Sequence, residues 1–259
     1  ESLPLDTLIK TSDLYAHPNF HGSFNHPDPQ QVISNINNSR LTANKRLQTV
    51  DCVILTLGTA FVFKRKDSGT VVNNCHKLPN DLFDRVMLTN TEIYRALQDI
   101  KSEIESFSDV SPRFIITLSP VRHIRDGLIA NQRSKAVALT AIHDFVDHNE
   151  NVDYFPAYEI LLDELRDYRF YKDDLVHPTD LAVNYVWNKF VNCYFDSDTE
   201  FIVREIQKLK LAANHKPFNF DSKEHQTFIA NQIGLMNKFS KKHDFLDFKA
   251  EIEQISTPK

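Results

Sequence analysis

Three short apolar runs punctuate the first two thirds of the chain: "CVILTL" at 52–57, "RFIITL" at 113–118 and "VDYF" at 152–155. Each is brief and rich in β-branched or aromatic residues, and none alternates cleanly with polar positions. That pattern predicts buried strands with both faces covered. Helical periodicity fills the gaps. "LTNTEIYRALQDIKSEIESF" sets Ile93, Leu97, Ile100 and Ile104 on one face and opens with Thr89 and Glu92, a capping-box pair. "NQRSKAVALTAIHDFVDH" sets Ala138, Ile142 and Val146 on another, and a further helix is expected near 30–47. Strands alternating with helices predict right-handed parallel crossovers, hence an α/β fold of three layers, α/β/α, around a parallel sheet.

Beyond Cys193 the pattern changes. "TEFIVREIQKLKLAANH" and "KEHQTFIANQIGLMNKFSKKHDFLDFKAEIEQI" are polar and helical with no strand signal. Residues 1–197 are therefore expected to form the α/β domain and 198–259 a C-terminal helical extension.

Composition narrows the functional classes. The 259 residues are 41% hydrophobic and 25% charged, which suits a globular chain with a sizeable core. A net charge of −5 offers no basic face, so no nucleic-acid partner is expected. No apolar run approaches the ~18 residues of a membrane span. Three cysteines without metal-type spacing suit a reducing, cytoplasmic setting, with Cys52 and Cys193 expected as core thiols. Only five glycines occur, none paired as a dinucleotide fingerprint or a phosphate loop requires.

Ligands of open parallel sheets bind beyond the carboxyl ends of the strands. After 57 comes Gly58-Thr59-Ala60, a turn at which a glycine can present a backbone N–H to a ligand. After 118 comes "SPVRHIRDG", with Arg122 and His123 as candidate ligands. After 155 the chain leads to "FYKDDLVHPTDLAVNYVW". There Pro178 is expected in a first helical turn, His177 just before it and Asp174 one turn upstream. An Asp holding one imidazole nitrogen while the other faces a cleft is the orienter-and-base half of a Ser-His-Asp arrangement; a capping Asp beside an ordinary loop His would give the same string. The N-terminal "AHPNFHGSFNHPDP" holds His17, His21, His26 and Asp28, but its Pro and Gly residues prevent a helix from presenting them together to a metal. Cys75 and His76 are adjacent in "NNCHKLP", the wrong geometry for a nucleophile and its base.

"TLGTAFVF", "NNCHKLP", "LSPVRHIRDGLIANQRSKA" and "YFPAYEILLDELRDYRFYKDDLVHP", in that order, resemble the GSCFA family, which is similar to SGNH-type hydrolases. The resemblance runs from about His21 to Phe195. It implies a D-x-x-H block at Asp174–His177, with His177 as general base and Asp174 as its orienter. It implies oxyanion or substrate contacts from Gly58, with Thr59 or His123 replacing the Asn usual in such enzymes, and from Arg122. The Ser of the G-S-C-F-A segment that names the family would be the nucleophile. That string is absent from these residues, so the chain is expected to begin after it, leaving 52–57 as an edge strand in need of a neighbour. Ser23, beside His21 in "HGSF", is the nearest local substitute.

The implied function is an SGNH-like serine esterase removing O-acyl groups from carbohydrate, needing no metal or organic cofactor. A non-catalytic binding module for a carbohydrate ester or other small molecule, and a metal-dependent hydrolase using His21, His26 and Asp174, are the alternatives. Oligomeric state is open.

Overall fold

A computed structural model describes residues 3–215 and 218–257. The chain divides into two compact units, Glu1–Val186 and Trp187–Lys259.

In the first unit a hairpin of β1 (Ile9–Thr11) and β2 (Leu14–Ala16) precedes α1 (Pro29–Leu47). Asp28 caps α1 by accepting from the Gln30 N–H, and Pro29 opens it, where a missing N–H costs nothing. Next come β3 (Cys52–Leu57), β4 (Phe61–Arg65), β5 (Val71–Val72), β6 (Phe83–Met87), α2 (Asn90–Phe107), β7 (Arg113–Leu118), α3 (Leu128–Asp147) and β8 (Val152–Phe155). The short α4 (Ala157–Glu159) runs into a π-turn, Ile160–Glu164. The Thr89–Glu92 capping box that starts α2 is formed in both directions.

The fold is α/β, with a parallel sheet in the order β3-β7-β8. Ile54 lies opposite Ile115, and Ile116 opposite Tyr154. The central strand β7 is buried from Phe114 to Leu118. Phe114, Ile116, Leu118 and Val152 meet Ile93 and Leu97 of α2 and Ala138, Ala141, Ile142 and Phe145 of α3 in one core, and α4 also packs against β7.

One expectation about β3 needs correction. Its exposure alternates along the strand, so one face is open at Cys52, Ile54 and Thr56. It is paired on one side only among the described residues, the edge position expected for it. The expected core thiols also need correction: Cys52, on that open face, and Cys193, near the end of a later helix, are both exposed. A three-stranded antiparallel sheet in the order β5-β4-β6, between β3 and α2 in the chain, was not foreseen from the sequence.

Helix α5 (Asp180–Tyr194) starts later than the sequence suggested. Pro178 sits in an extended bridge opposite Tyr171, and the Thr179 hydroxyl accepts from the Ala182 N–H at 3.4 Å, in the capping place. The division between the units falls within α5. In the second unit α6 (Ser197–Ala213), α7 (Lys223–Lys242) and α8 (Lys249–Ser256) enclose Leu209, Ala213, Ile229, Met236, Phe248 and Ile255.

Candidate functional site

The segment after Phe170 builds a tight loop around Asp174. One carboxylate oxygen, Oδ1, accepts the backbone N–H groups of Val176 (2.8 Å) and His177 (3.0 Å). The other, Oδ2, accepts from Nδ1 of the His177 ring at 2.7 Å. Leu175, between them, turns through a left-handed conformation at φ 56. Hydrogen bonds from the His177 backbone, then from its ring, then from the Val176 backbone hold the Asp174 carboxyl at about 2. With Nδ1 engaged, Nε2 of His177 has no hydrogen bond among the described residues and points the basic lone pair of the neutral ring away from the carboxylate. Both side chains are about half exposed.

Arg122 joins this loop to the one after β7. Its backbone N–H reaches the Val176 carbonyl (3.4 Å), its guanidinium donates to the Leu175 carbonyl (3.0 Å), and the guanidinium carbon lies 4.1 Å above the Tyr171 ring. The next residue, His123, receives its own support. Its N–H donates to Oδ1 of Asn131 at 2.9 Å, and Asp126, three residues on, is clasped by Arg85 of β6 through bonds of 2.7 and 2.6 Å.

The His123 ring lies against the turn after β3. A Cβ built on Gly58 would stand 3.4 Å from Nε2 of His123, so the absence of a side chain at 58 sets how closely the two strand-end loops approach. Burial, and then the Lys135 charge, push the His123 imidazole below its usual range, while Asp126 pulls the other way.

Beneath both loops lies Lys135, 1% exposed. Its ammonium donates to the carbonyls of Gly58 (2.6 Å) and Ser119 (2.5 Å), the residues that follow β3 and β7. Burial brings it down from 10.5 to about 8. One residue earlier, the Ser134 hydroxyl accepts from the Ala60 N–H (2.7 Å) and pairs with the Thr59 hydroxyl (2.8 Å), which also accepts from the Phe61 N–H. Thr59 is thus committed to shaping its turn, whereas the Gly58 N–H has no acceptor among the described residues.

Of the residues singled out from the sequence, the structure brings Asp174, His177, Arg122, His123 and Gly58 into one chain of contacts. Thr59 lies at the same turn with its hydroxyl occupied. His21 and Ser23 lie elsewhere: Nδ1 of His21 takes both the N–H (3.1 Å) and the hydroxyl (3.0 Å) of Ser23, closing the turn Gly22–Phe24. His17 and His26 repeat this device, each ring nitrogen accepting from the backbone N–H two residues on. Asn131, Ser134 and Lys135, the polar props of the site, were not singled out from the sequence. The available signal was their position, since they continue the buried stripe of α3 through Ala138 and Ile142 toward its N-terminus.

Residues 2–190 match the GSCFA family. The chain belongs to that family. Residues 206–257 of this GSCFA protein match a second description, the C-terminal domain of GSCFA domain proteins, which covers the second half of α6 together with α7 and α8. No curated protein and no solved structure matches the chain. Among the described residues no helix is long and apolar enough to cross a membrane, and no cluster of His, Cys, Asp or Glu has the arrangement of a metal site.

Proposed function

We propose that this GSCFA protein supplies the base side of an SGNH-type acyl-transfer site and serves the hydrolysis of an ester, with O-acylated carbohydrate as the substrate class. The observation that carries this reading is the Asp174–His177 contact of 2.7 Å, which leaves Nε2 of His177 as the available base. In the proposed reaction a Ser hydroxyl attacks the ester carbonyl and gives its proton to Nε2. Asp174 keeps Nδ1 protonated and stabilises the imidazolium as it forms. The oxyanion takes a hydrogen bond from the Gly58 N–H. His177 then returns the proton to the leaving alcohol, and water, deprotonated by the same nitrogen, releases the acid. The nucleophile in this reading is the Ser of a G-S-C-F-A segment, a string these residues do not contain.

The engagement of the Thr59 hydroxyl with Ser134 favours a second reading, because it removes one expected oxyanion donor. In that reading the same loops bind a ligand without turning it over. One comparison separates the two. A polypeptide carrying a G-S-C-F-A segment in frame before this chain is assayed with p-nitrophenyl acetate and an acetylated sugar. The catalytic reading expects His177→Ala to lower kcat/KM by ~10²–10⁴ with an unchanged circular dichroism spectrum. Equal rates in parent and variant, or none in the parent, support the binding module.

A further inference from the structure

Lys135 is a buried cation that the acyl-transfer steps above do not use. Its ammonium is sealed in the interior and meets no carboxylate among the described residues. The carbonyls of Gly58 and Ser119 take two of its three protons, and the Tyr158 ring lies 5.8 Å away. A buried charge without a counter-ion is costly. What this one touches is the peptide group that joins Gly58 to Thr59.

The carbonyl of that peptide points at the ammonium, 2.6 Å away. No cis peptide bond occurs among the described residues. In a trans peptide the N–H lies opposite the carbonyl, so the N–H of Thr59 points away from Lys135. It has no acceptor among the described residues. The orientation is pinned from a second point, one residue earlier on α3. There the Ser134 hydroxyl lies 2.8 Å from the Thr59 hydroxyl and accepts from the Ala60 N–H at 2.7 Å. A cation held on the carbonyl also polarises the amide and strengthens its N–H as a donor.

We infer that the Thr59 backbone N–H is an oxyanion donor and that Lys135 is the positioning residue that aims and strengthens it. The inference rests on the acyl-transfer reading. As the Ser oxygen bonds to the ester carbon, the carbonyl π pair moves onto oxygen, and that oxygen accepts from the Thr59 N–H. This is the second donor that the Thr59 hydroxyl, held by Ser134, does not supply. The hydroxyl anchors the donor instead. The ammonium stays beneath the peptide and touches no substrate, so its effect grows only as negative charge develops on the far side.

One arm of the test needs no turnover. In amide NMR of the whole chain at pH 7, where the ammonium keeps its charge, acetate, the acid released from an acetyl ester, is expected to shift the Thr59 amide. Neutral acetamide should leave it in place. Lys135→Met should weaken the acetate response about tenfold. In the second arm the polypeptide with the G-S-C-F-A segment is assayed with p-nitrophenyl acetate. Lys135→Met is expected to lower kcat by ~10²–10³ with KM within about twofold, the split of a group felt only in the transition state. Should Lys135→Met lose its circular dichroism spectrum, replacing the Gly58–Thr59 amide by an ester deletes the N–H, keeps both side chains, and should give the same kcat loss. An inactive parent, or one indifferent to His177→Ala, is a failure of the acyl-transfer reading, and the acetate arm then decides alone. The inference is overturned by a Thr59 amide that ignores acetate, by an equal response to acetamide or in Lys135→Met, by a kcat loss under about threefold, or by a KM that rises as far as kcat falls.

Discussion

Lys135 donates a 2.6 Å hydrogen bond to the carbonyl of Gly58, joining helix α3 to a turn whose Gly58 N–H has no acceptor among the described residues. The same ammonium holds the Ser119 carbonyl, so a single buried charge fixes the C-terminal ends of two neighbouring parallel strands.

That charge has a consequence for stability. In the folded chain Lys135 titrates at about 8, against 10.5 when unperturbed. Between those values the unfolded chain binds more protons than the folded one, so this group makes stability rise with pH across that window; below about 8 its cost is constant. Urea unfolding at pH 7.5 and pH 10 measures it, as the parent's gain minus that of Lys135→Met. A positive difference is expected, along with a loss of ~1–3 kcal/mol in the variant for each carbonyl left unsatisfied. Removing the charge should also raise the His123 midpoint toward its usual range in an NMR titration, because Lys135 is one of the groups that depress it. A fixed midpoint would show that the Lys135 charge does not act on His123.

Asp174 has two duties that substitutions can separate. Asp174→Asn keeps an oxygen for the N–H groups of Val176 and His177, so the turn should survive, with the thermal midpoint at neutral pH lowered only by the loss of the carboxylate's charge. It cannot hold the Nδ1 proton as a carboxylate does, and turnover should fall by ~10²–10⁴. Asp174→Ala should lose both, since Leu175 depends on that turn for its left-handed backbone. Because the carboxyl is held at about 2, its contribution to the parent is present above 3.8 and disappears as pH falls through about 2. The Asn variant should lack this acid limb in a melting series, and an identical limb in both proteins would contradict the assignment.

Gly58→Ala probes the approach of the strand-end loops. The new Cβ would meet Nε2 of His123 at 3.4 Å, and the Gly58 backbone lies outside the left-handed region, so the variant should fold. The imidazole must shift by a few tenths of an ångström. A change in the His123 NMR signals and a loss of about tenfold in kcat/KM are expected. Unaltered signals would mean the two residues are less tightly apposed than they are here.

How much of this could be read from the sequence depended on the range of the signal. The bounds 52–57, 113–118 and 152–155 were legible because short β-branched runs stand out between long amphipathic helices. The antiparallel sheet was not. β6 is interrupted by Asp84 and Arg85, and its partner β4 lies across a long loop with no hairpin signature. The β1–β2 turn uses Ser12 at φ 35 where an Asn-Gly or Asp-Gly pair would have marked it. In the site, Asp174 and His177 were legible because the whole device lies within four residues. Lys135, Ser134 and Asn131 act across 8 to 77 residues of sequence, and a polar extension of an apolar helix stripe reads as a helix end until its partners are seen.

The most direct test of the base assignment is chemical rescue. In a polypeptide with the G-S-C-F-A segment before this chain, His177→Gly removes the imidazole from the end of the Asp174 loop, and the rate of p-nitrophenyl acetate hydrolysis is followed as free imidazole is added. The account predicts a variant slowed by ~10²–10⁴ whose rate, corrected for imidazole's own hydrolysis of the ester, climbs and saturates with imidazole, while His177→Gly that also lacks the segment's Ser stays inert. A variant that hydrolyses the ester at the parent's rate, or a slowed one that imidazole fails to restore, would contradict it.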